Sequence, residues 1–251
     1  MEYPVANTVE EFAENLRLVR ERMDAAALRV DRNPEDVRLL PVSKTVPEER
    51  LRLAIEAGAH QLGENKVQEA KRKFHNLSDV DVQWSIIGHL QTNKAKDVAA
   101  FASEFHALDS VRLAEVLDRR LQVEGRSLDI YLQVNTSGEE SKYGVAPSEL
   151  LGLARQVKDL SSLRVRGLMT LAIFSDDKDA VRRCFQVLRA LRDEVRETDP
   201  DLIGPGELSM GMSGDYEIAI EEGANVVRVG QAIFGPRTTT DADYWPTGSQ
   251  V

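Results

Sequence analysis

Lys44 follows a short apolar run that is typical of a buried strand. Leu40 and Val42 alternate with Lys44, so the three side chains are expected to lie on the inward face of that strand. An amine in an apolar setting loses part of its preference for the charged form, and the neutral amine can condense with an aldehyde to form a Schiff base. Taken alone, such a segment more often contains a surface lysine just past a strand. The interpretation of Lys44 therefore depends on what surrounds it.

Two segments late in the chain could bind an anion. The first, residues 209–215, reads Ser-Met-Gly-Met-Ser-Gly-Asp and precedes a predicted helix. The hydroxyl groups of Ser209 and Ser213 and the backbone N–H groups could bind an anion there, or Ser213 could simply cap the helix. The second segment contains Arg228 and Gly230, at the end of the last predicted strand. Gly230 allows a close backbone approach and Arg228 supplies charge, although Arg228 could instead form a salt bridge at the rim.

Asn65 and Met212 complete the candidate site. Asn65 ends the second predicted strand, where its amide could hydrogen-bond a ring oxygen or cap the helix that follows. Met212 could contact an aromatic ring or fill the core. His89 and Lys142 fall in predicted loops and are less specific, because a lone histidine is more often a structural donor and a loop lysine is more often solvated.

The elements that must position these residues alternate along the chain. Thr8 and Glu11 form a capping box that predicts an N-terminal helix before any strand. Eight candidate strands then alternate with helical stretches, the clearest of which is an amphipathic helix over residues 178–195. The candidate strands are residues 37–44, 61–64, 82–88, 104–108, 128–135, 163–170, 207–211 and 225–229.

Eight βα units in about 200 residues predict an α/β fold, a single closed (β/α)8 TIM barrel. The alternative is an open doubly wound sheet, which usually has a glycine-rich turn after its first strand. This chain has Lys44-Thr45-Val46-Pro47 there instead. In a closed barrel the last strand lies beside the first, so Lys44 and the anion site would be about 5–10 Å apart. Pyridoxal 5'-phosphate (PLP), with an aldehyde and a phosphate, would fit that gap.

The composition excludes several classes of function. The 251 residues, 42% of them hydrophobic, are enough for one barrel. We expect this barrel to span residues 1–236 and to be followed by a flexible tail over residues 237–251.

A formal charge of −10 argues against a nucleic-acid partner. Residues 1–7 do not resemble a signal peptide, and no segment has the apolar length of a membrane span, so a cytoplasmic protein is expected. The single cysteine, Cys184, excludes an internal disulfide and a multi-cysteine metal site.

Seven segments, in order, resemble the YggS/PROSC family of PLP homeostasis proteins over about residues 8–235. They are Val42-Ser43-Lys44-Thr45, Gly63-Glu64-Asn65-x-x-Gln68-Glu69, Gly88-His89-Leu90-Gln91-Thr92-Asn93-Lys94, Ser141-Lys142-x-Gly144, Arg166-Gly167-Leu168-Met169, Leu208-Ser209-Met210-Gly211-Met212-Ser213 and Arg228-Val229-Gly230-x-Ala232-Ile233-Phe234-Gly235. The resemblance implies a fold-type III PLP barrel, similar to the N-terminal domain of alanine racemase, with Lys44 as the Schiff-base lysine. It also implies that Ser209, Ser213, Arg228 and Gly230 lie at the phosphate and Asn65 near the ring. Gln231 departs from the pattern, because many relatives have a threonine there.

Three functions remain possible at this stage, because a fold does not determine a function. The first, which we favour, is a non-catalytic PLP carrier that delivers the cofactor to apo-enzymes and is a monomer or weak dimer. The second is an amino-acid racemase, which needs a proton donor on each face of the substrate Cα. In the barrel racemases that the chain resembles, a C-terminal domain contributes the second donor, and the 16 residues after Gly235 are too few to form such a domain. The third is a Schiff-base aldolase without PLP, which usually has its lysine on strand six, where this chain has Met169 and Thr170.

Overall fold

The computed structural model describes residues 4–139 and 142–236. The chain begins with helix α1, Val9–Leu28, and Thr8 caps it through the predicted capping box with Glu11. The buried side of α1 carries residues at helical spacing, which confirms the amphipathic N-terminal helix. The predicted tail, residues 237–251, lies outside the described residues.

After α1, eight strands alternate with α-helices, and the described residues contain nine α-helices in all. The strands are β1 Arg38–Pro41, β2 Gln61–Glu64, β3 Gln83–Ile86, β4 Glu104–Leu108, β5 Leu128–Gln133, β6 Leu163–Met169, β7 Glu207–Ser209 and β8 Val226–Val229. The further helices are α2 Glu48–Glu56, α3 Val67–Asn76, α4 Ala95–Phe101, α5 Val111–Glu124, α6 Leu150–Lys158, α7 Lys178–Thr198, α8 Tyr216–Glu221 and α9 Gln231–Phe234. Each predicted strand therefore has a counterpart in the structure.

The strands form one parallel sheet in the order β1-β8-β7-β6-β5-β4-β3-β2. The two ends of this order meet just beyond β1, where Val42 bridges Gly63 in parallel and the Ser43 N–H donates to the Gly63 carbonyl at 3.0 Å. The sheet is thus closed into a (β/α)8 barrel, and the open doubly wound alternative is wrong. Closure places the carboxyl ends of all eight strands at one mouth.

The main differences from prediction lie at the carboxyl ends of strands. The first strand, predicted to reach residue 44, ends at Pro41, and the seventh, predicted to reach residue 211, ends at Ser209. Beyond each end the backbone enters the left-handed region, with φ of 66° at Thr45 and 94° at Gly211. A residue in that region cannot continue a strand. Lys44, Met212 and Ser213 therefore lie in turns at the mouth, whereas Ser209 and Arg228 lie within their strands.

A network of polar side chains crosses the barrel interior, whereas most of the apolar core lies between the sheet and the helices. Arg38 of β1 donates across the interior to Glu104 of β4 at 2.9 Å, and Ser85 of β3 donates to the same carboxylate at 2.8 Å. Their strand neighbours Trp84 and Phe105 have the opposite parity and are fully buried.

None of the described helices has the length and apolar character of a membrane-spanning segment.

Candidate functional site

Lys44 lies in a tight turn at the mouth, immediately after β1. The turn is closed by a hydrogen bond of 3.0 Å from the Val46 N–H to the Ser43 carbonyl, and Lys44 is half-buried within it. Lys44 and Gly230 line the same cavity, of about 220 Å³. A β-carbon added to Gly230 would lie 3.1 Å from the Val42 carbonyl oxygen. The expected proximity of Lys44 to the end of β8 is therefore present, and a larger residue at position 230 would crowd the Val42 carbonyl.

Ser213 and Gly230 form the outer part of the predicted anion site. The Gly230 N–H donates to Ser213 Oγ at 3.2 Å, which joins the loops after β7 and β8. Ser213 does not cap α8, because that position belongs to Asp215. The Asp215 carboxylate accepts a hydrogen bond of 2.5 Å from the Met212 N–H, and burial raises its pKa. The loop is thus organised internally, with the Ser213 hydroxyl facing the end of β8.

Arg228 and Ser209 lie together in the barrel interior. The Arg228 guanidinium donates to Ser209 Oγ at 2.7 Å and to the Thr170 carbonyl at 2.8 Å. Arg228 is only 3% exposed, so the rim salt bridge considered from sequence is wrong. Burial lowers the pKa of Arg228 to about 10, while the charge of Asp215 acts in the opposite direction. Arg228 therefore carries a positive charge inside the barrel at neutral pH.

The predicted phosphate residues separate into two layers along β8. The Arg228 N–H donates to the Gly211 carbonyl at 2.9 Å, and two residues later the Gly230 N–H reaches Ser213. Two residues of extended chain span about 6.6 Å. Gly230 and Ser213 are thus nearer the mouth, and Arg228 with Ser209 lies one layer deeper. The structure brings all four residues to one wall of the barrel without making them a single contact cluster.

His106, which the sequence analysis overlooked, connects this inner layer to the opposite wall. Its Nδ1 lies 2.9 Å from Ser209 Oγ, and its Nε2 lies 3.0 Å from Glu104 Oε2. Burial opposes the charge of Glu104, but the hydrogen bond from His106, the charge of Arg38 and the hydrogen bond from Ser85 hold the Glu104 pKa below its usual range. An ionised Glu104 must receive the Nε2 proton, so Nδ1 accepts from the Ser209 hydroxyl. The Ser209 oxygen in turn accepts from Arg228.

This arrangement predicts a pH dependence of stability. Burial lowers the pKa of His106 from its usual value of 6.5. Below pH 6.5 the unfolded chain therefore takes up a proton that the folded chain does not, and the free energy of unfolding should fall as the pH falls. One such group contributes a slope of up to about 1.4 kcal/mol per pH unit.

Urea unfolding between about pH 5 and 8 would measure this slope. A His106→Gln variant is the matched control, because glutamine does not titrate. Glu64 and Asp215, whose pKa values are raised by burial, act in the opposite direction but are present in both proteins, so they cancel in the difference. Parallel curves for the two proteins would contradict a neutral, buried His106.

Asn65 and Met212 flank the mouth, and both are half-buried. Asn65 follows β2 on the other side of Lys44, as predicted, and packs against Gly88: a β-carbon added there would lie 2.6 Å from Asn65 Oδ1. His89 stacks on Tyr143 with ring centroids 4.0 Å apart. Contacts of Asn65 and Met212 with a cofactor remain predictions.

The chain is similar over most of its length to proteins of a known family. Residues 9–238 match the family described as alanine racemase, N-terminal domain. A protein of Aquifex aeolicus named pyridoxal phosphate homeostasis protein is 41% identical over 225 residues, which are 89% of this chain and 97% of that protein.

Solved structures agree with these sequence matches. PipY of Synechococcus elongatus, in a structure with PLP bound, has a TM-score of 0.79 and 35% identity and covers 89% of this chain and 100% of its own. Alanine racemase of Corynebacterium glutamicum has a TM-score of 0.71 at 13% identity, with 94% of this chain and 64% of the racemase covered, and shows the fold alone. The chain therefore belongs to the family of pyridoxal phosphate homeostasis proteins, on a barrel like that of the alanine racemase N-terminal domain.

Proposed function

We propose that this protein binds PLP through a Schiff base on Lys44 and acts in intracellular PLP homeostasis. The observation that carries the proposal is the common cavity of Lys44 and Gly230, which brings the amine close to the backbone segment that we propose for the phosphate. The PLP bound to PipY, a relative of 35% identity, supports the choice of cofactor. Bound PLP supplies an aldehyde that can form an imine with a lysine amine.

The residues present fit this cofactor. Gly230 brings its backbone close to the end of β1 at the mouth, where that backbone and the Ser213 hydroxyl would hold the phosphate. Gln231 lines the same cavity and has an amide that can donate where many relatives have threonine. Arg228, in the deeper layer with Ser209, would then face the ring and contribute positive charge, and Asn65 would lie at the ring from the opposite side. Met212 would complete the wall between these two sides.

A carrier is favoured over a racemase by the pattern of similarity. The homeostasis protein of Aquifex aeolicus matches this chain over 97% of its own length, whereas the racemase is related at the level of fold. We therefore infer that the protein holds PLP without a dedicated turnover. We also propose that it is cytoplasmic and a monomer or weak dimer. Its partners would be apo-enzymes that require PLP.

Transfer of PLP to an apo-enzyme tests this function directly. The PLP-loaded protein is mixed with an apo-enzyme in the presence of a trap that captures free PLP, and recovery of enzyme activity is followed. Direct delivery predicts that enzyme activity recovers in the presence of the trap. If the trap prevents this recovery, direct delivery is contradicted. Deuterium exchange at Cα of a panel of amino acids tests the alternative, because sustained exchange above that of free PLP would establish a racemase-like activity.

Ser213→Ala should weaken the binding of PLP but not of pyridoxal, which lacks the phosphate. Loss of one hydrogen bond to a charged group costs about 1.5–3 kcal/mol, which is roughly a 10- to 150-fold loss of affinity. Equilibrium binding of both ligands gives the ratio. Ser175→Ala, at an exposed serine after β6, is the matched control. An equal loss of affinity for PLP and pyridoxal would show that Ser213 does not contact the phosphate.

A further inference from the structure

A buried cation and two carboxylates lie beneath the turn that carries Lys44. Lys73 of α3 is completely buried, and its Nζ donates to the Ser43 carbonyl at 2.8 Å and to Oε1 of Glu64 and of Glu69, each at 2.7 Å. A lysine ammonium has three hydrogens, so each of them has an acceptor here. We refer to Lys73, Glu64 and Glu69 as the buried triad.

The buried triad contacts the residues on both sides of Lys44. On one side, the Ser43 hydroxyl donates to Glu64 Oε1 at 2.5 Å, in addition to the contact of its carbonyl with Lys73. On the other side, the Thr45 N–H donates to Glu69 Oε1 at 2.8 Å. The segment is thus held before and after the reactive lysine by the same three side chains.

The turn needs such support because Thr45 is strained. Its φ of 66° lies in the left-handed region, which a β-branched residue rarely adopts and which favours glycine. An unusual backbone conformation of this kind persists only where the surrounding structure holds it. Glu69 accepts the hydrogen bond of the strained residue itself, and Lys73 fixes the Glu69 carboxylate.

We propose that the buried triad is a positioning device that keeps the strained turn in place and so presents Lys44 Nζ to an aldehyde. The inference rests on the proposed function, in which the neutral Lys44 amine adds to the aldehyde carbon, both amine hydrogens leave with the carbonyl oxygen as water, and an imine results. Lys73 does not react: its ammonium has no lone pair, and its hydrogens are all bonded. Glu64 and Glu69 act only through the residues that flank Lys44.

Two substitutions at Glu69 test the triad. Glu69→Ala removes the acceptor of the Thr45 N–H, whereas Glu69→Gln keeps an oxygen at the same position and is the matched control. Replacing Lys73 would leave buried carboxylates without a cation, and so would mainly test stability. Glu69 is suitable because 17% of its side chain is exposed.

Two measurements are made on each protein. Hydrogen exchange of the Thr45 amide is measured without PLP, and growth of the imine absorption band is followed after PLP is added. We expect Glu69→Ala to lose protection at Thr45 and to form the imine about tenfold more slowly, since a small misplacement of a reacting group has large kinetic effects. Glu69→Gln should stay within about twofold of the parent in both measurements.

Equal rates of imine formation in the parent and Glu69→Ala would overturn the inference. A parent protein that forms no imine would instead overturn the proposed function, so the two failures are distinguishable. If Glu69→Ala does not fold, Glu69→Asp is measured, because it keeps a carboxylate but withdraws it from the Thr45 N–H by one methylene. An imine formation rate about tenfold slower in this variant supports the mechanism, and a parent-like rate contradicts it.

Discussion

Lys44→Ala is expected to abolish the visible imine absorption band that the parent protein shows after incubation with PLP. No other residue is proposed to form the imine, so the loss should be complete. Contacts of the phosphate with Gly230 and Ser213 would remain, and PLP should still bind but dissociate faster. Absorbance after removal of free PLP by gel filtration measures the band.

The control is Lys66→Ala, which removes an exposed lysine close to the mouth just after β2. This variant should keep the band and the dissociation rate of the parent. A band of parental intensity in Lys44→Ala would show that the imine forms elsewhere and would remove the central residue of the proposed site.

Arg228→Ala is expected to have the second largest effect, through faster dissociation of the cofactor. A buried charged donor lost from a site costs about 2–3 kcal/mol, which is roughly a 30- to 150-fold change in dissociation. Because Arg228 lies one layer below Gly230, the variant should weaken the binding of pyridoxal as well as PLP. This distinguishes it from Ser213→Ala, for which only PLP should be affected.

Stopped-flow dissociation of both ligands would measure these effects. Arg166→Ala is a suitable control, because Arg166 is a more exposed arginine that pairs with Glu207 at 2.7 Å. The folding of Arg228→Ala is checked by urea unfolding of the PLP-free protein. Unchanged dissociation of PLP would exclude Arg228 from the site, and an effect on PLP alone would place it at the phosphate rather than at the ring.

The contrast between Glu69 and Lys73 shows where prediction from sequence ends. A glutamate four residues before a lysine is a familiar stabilising pair on an exposed helix face, and its spacing is visible in the sequence. In the structure the lysine is completely buried and also binds Glu64 and the Ser43 carbonyl. Burial depends on which strand and turn cover the helix, so a local spacing cannot reveal it.

His106 shows the same limit for the barrel interior. Its spacing of two residues from Glu104 places both side chains on one face of a strand, a signal that the sequence does contain. Its partner Ser209 is 103 residues away and lies on the other wall. Only closure of the sheet decides that these two groups meet, and hence that the Ser209 hydroxyl is shared between His106 and Arg228.

The sequence by itself determined the elements and their order, because capping, helical spacing and strand alternation are local properties of the chain. Eight strands and the N-terminal helix followed from such patterns. The tertiary structure alone decided the depth of Arg228, the pairing of Ser213 with Gly230 and the strained turn at Thr45 supported by Lys73 and Glu69. These features depend on contacts between distant segments and on exclusion of water, which exist only after the barrel has closed.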